Sequence, residues 1–565
     1  MKSLRFFAIA TLAACAPAKT VTETPTPVPA PSTAPSQPAP TNNPPPAAAN
    51  SPTPSFTPLA EAPRDWQLLD ASTDRVVGVS ARKAEKELLS GKQPKRTVLV
   101  AVIDGGVDTA HVGLKANLWT NPKEVAGNGK DDDGNGYVDD VHGWNFIGGK
   151  GGDVQFDALE ITRIHARCTK AAEGTSAAKL PMPDAESCKR AGEEYRKQES
   201  DTRQLAQQVE QISAVLTRAN DILRRAMGTD SLTKTKVQAY LPVNAEAQQA
   251  KAMWLRLADA GITPDEIEAA KKEVDSKTKY GLNLKYDPRT IVGDDYANVN
   301  ERRYGNSDVM GPDAEHGTHV SGIIGGVRGT PGGIDGIATN VKVMMVRTVP
   351  DGDESDKDVA NTIRYAVDNG AQIINMSFGK GFSPEKAAVD EAVKYADSKG
   401  VLMVHAAGND GENLAEKPSF PTPVYTSGGK PNNWIEVGAS SWKGVDSLAA
   451  TFSNYGKAQV DVFAPGVDIL STVPGGGYKR ESGTSMAAPV VSGVAAMLMS
   501  YFPNLSAADV KRILLDSSTR YANQKVARPG QDSDAVTFGS LSITGGVINA
   551  YSAVKLAEQM SQTKP

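Results

Sequence analysis

The chain has 565 residues, and 61 Lys+Arg against 66 Asp+Glu leave a formal net charge of −5, so no overall basic field is present to hold nucleic acid. With 39% hydrophobic and 22% charged residues the composition is globular, which excludes collagen-like and wholly disordered classes. Three cysteines cannot form a disulfide framework, and past the N-terminus there is no apolar run of the roughly 18 residues that would span a bilayer.

Residues 1–14 open with Lys2 and Arg5, continue through a short apolar stretch and end in small residues, the layout of an export signal. Leu12-Ala13-Ala14-Cys15 resembles the bacterial lipobox, in which the cysteine is acylated and becomes the new first residue. An ordinary cleaved signal with a chance cysteine is the alternative. Ala16, in place of aspartate after the cysteine, resembles the sorting pattern for the outer membrane of Gram-negative cells, facing the periplasm or the surface. From Ala16 to Pro63, 15 of the 36 prolines accompany only three charges, Lys19, Glu23 and Glu61, so the stretch cannot pack a core. Residues 15–63 therefore read as a lipid-anchored, semi-stiff tether with a reach on the order of 100 Å.

From Thr97 onward, apolar runs without alternation recur at Val98–Ile103, Val341–Val346, Gln372–Met376, Val401–Val404 and Val460–Phe463, the signature of buried parallel strands. Between them Asp358–Asp368 and Glu385–Ser398 have helical spacing and stop at Gly370 and Gly400. Strand and helix alternate, so 64–155 and 286–560 are expected to form one α/β body. Its chemistry is expected beyond the carboxyl ends of the strands, near Asp104, Ser377 and Asn409.

Residues 156–285 break that rhythm. Leu205, Val209, Ile212, Leu216, Ala219 and Leu223 form a heptad-like seam, and Thr263-Pro264 marks a second helix start. The reading is a helical insertion packed on the body; a coiled coil binding a protein partner and a gate over the substrate are alternatives. Cys168 and Cys188 lie here, and in an exported chain they are expected to pair.

Acyl transfer on an amide needs a nucleophile, a base, a group orienting the base and donors for an oxyanion. Four segments offer these: Asp104 ends a buried strand, His316-Gly317-Thr318-His319-Val320 opens a helix, Ala406-Ala407-Gly408-Asn409 follows a strand, and Ser482-Gly483-Thr484-Ser485-Met486-Ala487-Ala488-Pro489 places a serine at a helix start. His316 and His319, three apart, could also face one metal, but no glutamate of a zinc helix lies between them. Together the four strings resemble the subtilisin-like serine peptidases, in that family's order, with 156–285 unmatched. The resemblance implies a subtilisin-like parallel sheet flanked by helices and an endopeptidase acting on polypeptides. It makes Ser485 the nucleophile, His316 the base and Asp104 its orienter, with Asn409 donating to the oxyanion.

The same resemblance makes Ser377, Phe378 and Gly379, with Ala406, Ala407 and Gly408, the edges that pair with substrate. The small residues there suggest an open pocket with a broad preference for apolar or bulky side chains. Two departures stand out: Gly105 replaces the usual Ser or Thr after the catalytic Asp, and His111-Val112-Gly113-Leu114 replaces the usual His-Pro-Asp-Leu-like segment. Asp65–Arg96 reads as the start of the mature domain, leaving no room for an inhibitory propeptide, so restraint would fall to the insertion. The rival reading is a catalytically silent relative that binds peptides or an envelope partner. Finally, Asp131, Asp133, Asn135 and Asp139, with Gly136 for the turn, follow the first positions of a calcium loop; His142 stands where the bidentate Glu would be. A structural Ca²⁺ is expected there, and more weakly at Asp294 and Asp295; a solvated acidic turn is the alternative.

Overall fold

The computed structural model describes residues 59–173 and 182–563. Cys15 and nearly all of the expected tether lie outside the described residues. The chain divides into two compact units, one containing residues 205–271 and the other 52–204 together with 272–565. The ends of the expected insertion, 156–204 and 272–285, thus belong to the second, larger unit.

That unit is organised by a nine-stranded, mostly parallel sheet. In chain order its strands are β1 (Val98–Asp104), β2 (Gly143–Asn145), β3 (Val341–Arg347), β4 (Ile373–Met376), β5 (Leu402–Ala406), β6 (Trp434–Ser440), β7 (Val462–Pro465), β8 (Thr519–Arg520) and β9 (Gly546–Val547). Their spatial order is β8-β9-β7-β6-β5-β4-β1-β3-β2, antiparallel only between β8 and β9. β1 pairs with β3 on one side and β4 on the other, so the strand order reverses at β1. A reversal leaves a crevice at the strand's carboxyl end, where Asp104 stands.

The unalternating strand sequences follow from burial on both faces. Val98, Val100 and Val102 face one core, and Ala101 and Ile103 the other. The helices of this unit include α1 (Glu160–Ala172), α2 (Glu315–Gly325), α3 (Asp356–Asp368), α4 (Lys386–Ser398) and α5 (Thr484–Tyr501), of which α2 to α5 flank the sheet. α2 and α5 build the first core; α3 and α4 build the second. Gly370 and Gly400 follow α3 and α4 with φ of 83° and 71°, the left-handed stops expected. α5 is long and apolar enough to cross a membrane, but it is 89% buried in the body and serves as its central core helix.

α1 is held covalently to the start of the long helix Ala185–Met227 and by charge to the sheet-bearing body. A disulfide links Cys168 of α1 to Cys188 at a Cα separation of 5.8 Å. Buried Glu160 and partly buried Arg163 are bonded to the segment that precedes α3. In the other unit the seam is real: Leu205, Val209, Leu216, Ala219 and Leu223 are buried on one face of a long helix. Leu223 and Ala219 pack with Val237 and Ala250, and Trp254 donates to Asn220. The helix Pro264–Ser276 begins where Thr263 accepts from the Glu266 N–H.

Candidate active site

Asp104 reaches the crevice because β1 ends there, and its side chain is buried. Oδ1 accepts from the Gly105 amide at 2.7 Å and from His316 Nδ1 at 2.8 Å, with Oδ2 at 3.0 Å from the same nitrogen. A Cβ at Gly105 would lie 3.1 Å from the Val349 carbonyl, so a larger residue would crowd the strand end. His111 is turned inward, its Nδ1 accepting from the Gly113 amide and its Nε2 meeting the Gly477 carbonyl.

His316 stands in the first turn of α2, which packs directly against the end of β1. Only glycine permits that approach at position 317, where a Cβ would fall 2.2 Å from the Gly106 carbonyl oxygen. The imidazole is 43% exposed, while Asp104 is 2% exposed. Burial alone would lower the His316 pKa; the Asp104 charge and hydrogen bond outweigh it, with Glu481 and Asp313 adding, and raise it to about 9. His319 points elsewhere: its Nε2 donates to the Ile469 and Lys479 carbonyls, and burial pulls its pKa down to about 4. The shared-metal alternative for the two histidines therefore fails, and His319 is structural.

Ser485 is the second residue of α5. Pro489 lies four positions on and has no N–H, so the Ser485 carbonyl loses its helical partner. The Ser377 hydroxyl donates to it instead, at 2.9 Å. In return the Ser485 hydroxyl donates to the Ser377 carbonyl at 3.0 Å. Asn375 Nδ2 donates to Ser377 Oγ, and the buried Ser492 hydroxyl donates to Asn375 Oδ1. This buried network ties the helix that carries Ser485 to the end of β4.

Asn409 follows β5, and its Oδ1 accepts from the Thr484 amide at 2.8 Å and from the Thr484 hydroxyl at 3.0 Å. Because a backbone N–H can only donate, the atom it meets is the amide oxygen, which leaves Nδ2 as the free end. The Thr484 hydroxyl also accepts from the Gly408 amide at 3.0 Å. Asn454 braces the same loop, donating to the Ala407 carbonyl and accepting from the amides of Asp410 and Glu412.

A cavity of about 560 Å³ opens beside Asp104 and His316, walled by Ser377, Phe378 and Gly379 and by Val349 to Gly352 with Glu354. Ala406, Ala407 and Gly408 are not part of its wall; Ala406 and Ala407 are buried, and the Ala407 and Gly408 backbones are engaged internally. Beneath the wall, buried His405 binds the Phe378 carbonyl through Nε2 at 2.9 Å and Glu436 through Nδ1 at 2.8 Å. Sequence reasoning assigned no role to Thr484, Asn454, Ser492, His405 or Glu436. A histidine inside an apolar strand was the one signal that could have drawn attention to His405.

The acidic loop is arranged differently from expectation. Asp131 accepts from the amides of Asn135 and Gly136, Asp139 from those of Asn128 and Gly129, and Asn135 Oδ1 from the Tyr137 amide. These side chains close turns. The carboxylates that converge, within 4.8 Å of one another, belong to Glu124, Asp133 and Asp140. Glu124 Oε2 is buried with no hydrogen-bond partner, and burial pushes the Asp140 carboxyl up to about 6. At the weaker candidate, Arg289 and Lys357 already pair with the Asp294 carboxylate.

Residues 95–533 match the model of the subtilase family. The chain is 43% identical over 186 residues to a thermophilic serine proteinase of Bacillus sp. (strain AK1), covering 33% of this chain and 42% of that relative. It is 34% identical over 265 residues to the major intracellular serine protease of Bacillus subtilis (strain 168), covering 46% and 76%. A solved cold-adapted subtilisin-like serine proteinase aligns at 30% identity over 44% of this chain and 78% of that one, with a TM-score of 0.34. On the span of the family match, which exceeds half its length, this chain belongs to the subtilase family.

Proposed function

We propose that the chain is a serine endopeptidase that hydrolyses peptide bonds through Ser485, His316 and Asp104, with Asn409 as an oxyanion donor. The observation that carries this reading is the locked Asn409 amide, whose free Nδ2 stands beside the nucleophile's helix start while Asp104 holds His316 Nδ1. Asp104 keeps the proton on Nδ1, so Nε2 is the basic nitrogen. Ser485 turns from the Ser377 carbonyl to His316, loses its proton to Nε2 and attacks the scissile carbonyl. The oxyanion takes the Ser485 amide at the start of α5 and Asn409 Nδ2. His316 then protonates the leaving amine, and water, activated by the same nitrogen, releases the acyl group. The test is digestion of an unfolded protein: the parent cleaves it, and Ser485→Ala does so about 10⁶-fold more slowly, the loss known for subtilisin. Equal rates would refute the assignment.

The calcium reading is retained with different ligands: Glu124, Asp133 and Asp140 supply hard oxygen donors of the kind Ca²⁺ takes. The partnerless Glu124 Oε2 supports it. Anchoring through acylated Cys15 in the cell envelope is the third part of the proposal, supported by the Leu12–Cys15 string alone. Incorporation of labelled palmitate that disappears in Cys15→Ala is the expected result; equal incorporation would overturn it.

A further inference from the structure

Next to the triad lies a buried set of carboxylates with too few cations. Asp157, Glu160, Asp353, Glu354 and Asp356 cluster where α1 meets the segment before α3, and Arg163 and Lys380 are the cations set among them. Five carboxylates face two fixed cations; His405, whose pKa is raised against burial by Glu436 chiefly and by Glu354 in part, is spent on Glu436 and the Phe378 carbonyl. Lys380 Nζ is spent on Glu160 at 2.8 Å, Asp356 at 2.9 Å and the Glu354 carbonyl at 2.7 Å. Arg163 is spent on Glu160, Asp157 and the carbonyls of Ala158, Asp353 and Glu354.

Neither cation pairs with the Glu354 carboxylate. Glu354 is 2% exposed, and its Oε1 is buried without a hydrogen-bond partner. Burial pushes this carboxyl up to about 7 against the pull of Lys380, with Asp353 and Asp356 adding to the rise. Yet Glu354 is part of the cavity wall, with Ser377, Phe378, Gly379 and His316. The wall adds the carboxylates of Asp313, Asp351 and Glu481. Its one guanidinium, Arg347, is committed to the Gly105 and Val154 carbonyls and to Asn145 Oδ1.

We propose that Glu354 is a specificity-determining residue and that this cavity takes a basic side chain of the substrate, lysine or arginine. The incoming cation supplies the partner that Lys380 and Arg163 do not, in a site shielded enough for charge complementarity to discriminate. The inference rests on the endopeptidase reading for its substrate, and it departs from the apolar preference expected from the small residues of the cleft.

The test uses matched peptides in which Lys, Arg, norleucine, Gln and Glu rotate through each position on either side of the scissile bond. At one position Lys or Arg is expected to exceed norleucine by about ten-fold or more in kcat/KM, a ratio that collapses in Glu354→Gln. Equal rates for Lys and norleucine at every position, or a ratio unchanged in Glu354→Gln, would overturn the proposal. Binding of the same peptides to full-length Ser485→Ala reads selectivity without turnover and without disturbing Glu354. Cleavage with no basic preference would sink this inference and leave the endopeptidase reading standing. Selective binding of the basic peptide by a protein that cleaves none would do the reverse.

Discussion

Thr484 offers a sharp test of how the proposed oxyanion donor, Asn409, is held. Its hydroxyl is fully buried, donates to Asn409 Oδ1 at 3.0 Å and accepts from the Gly408 amide at 3.0 Å. Thr484→Val keeps the shape and removes both bonds, while the backbone bond to Asn409 at 2.8 Å survives. One neutral hydrogen bond contributes about 0.5–1.5 kcal/mol, so an amide held by one bond instead of two should lose about 2- to 10-fold in kcat. KM should move little, because the lost interaction acts in the transition state. The stranded Gly408 amide should cost about 1 kcal/mol of stability. Removing the donor itself, in Asn409→Ala, should cost about 10²- to 10³-fold, the range known for the oxyanion asparagine of subtilisin. In that background Thr484→Val should have almost no further effect on kcat. Steady-state kinetics on the four proteins of this cycle decide it. Unchanged kcat in Thr484→Val, or a full additive loss in the double variant, would refute the reasoning.

The raised His316 pKa carries a sign. Its base form dominates only above the folded pKa, so kcat/KM should climb with pH through a limb above the ordinary 6.5 and toward about 9, and Asp104→Asn should move that limb down. The same pairing stabilises the fold below pH 6.5 and is lost as pH rises through about 9, since the folded pKa is the higher one. A flat rate from pH 6 to 9 would contradict both. Chelation should lower the melting temperature, and Glu124→Gln or Asp133→Asn should abolish the response to added Ca²⁺; identical melting with and without chelator counts against the site. Lys380→Met leaves Glu160 and Asp356 buried without this cation, which should destabilise the protein by about 3–5 kcal/mol in chemical denaturation. A loss under about 1 kcal/mol would mean that Arg163 and protonation already neutralise the cluster.

Much of the body is legible because its physics is local. Runs such as Val98–Ile103 are apolar on both faces because both faces are covered, and Gly370 and Gly400 stop helices by a backbone conformation glycine adopts freely. Strand β6 escapes that logic: Trp434-Ile435-Glu436-Val437-Gly438 carries a charge and a glycine, and reads as a strand only once His405 and Trp434 are known to satisfy Glu436. The boundary of the insertion is illegible for a related reason. Glu160 and Arg163 look like a solvated helix face, but their partners lie about 190 to 220 positions away at Asp353 and Lys380. In the acidic loop, spacing identified oxygen donors that in fact serve backbone amides, while Glu124 lies before the motif and Asp140 outside its pattern. The proposed catalytic residues come from four short strings, and the residues that hold them, Thr484, Asn454 and Ser492, are polar positions whose partners only the fold brings near.

The central claim is an activated Ser485 beside a working oxyanion site. Intact mass of the soluble chain beginning after Cys15, before and after a serine-reactive fluorophosphonate, measures both at once. A single adduct on the parent, absent from Ser485→Ala and slowed in Asn409→Ala, is the predicted result. A folded, calcium-loaded protein that takes no adduct, or one that is labelled equally in Ser485→Ala, would contradict the account.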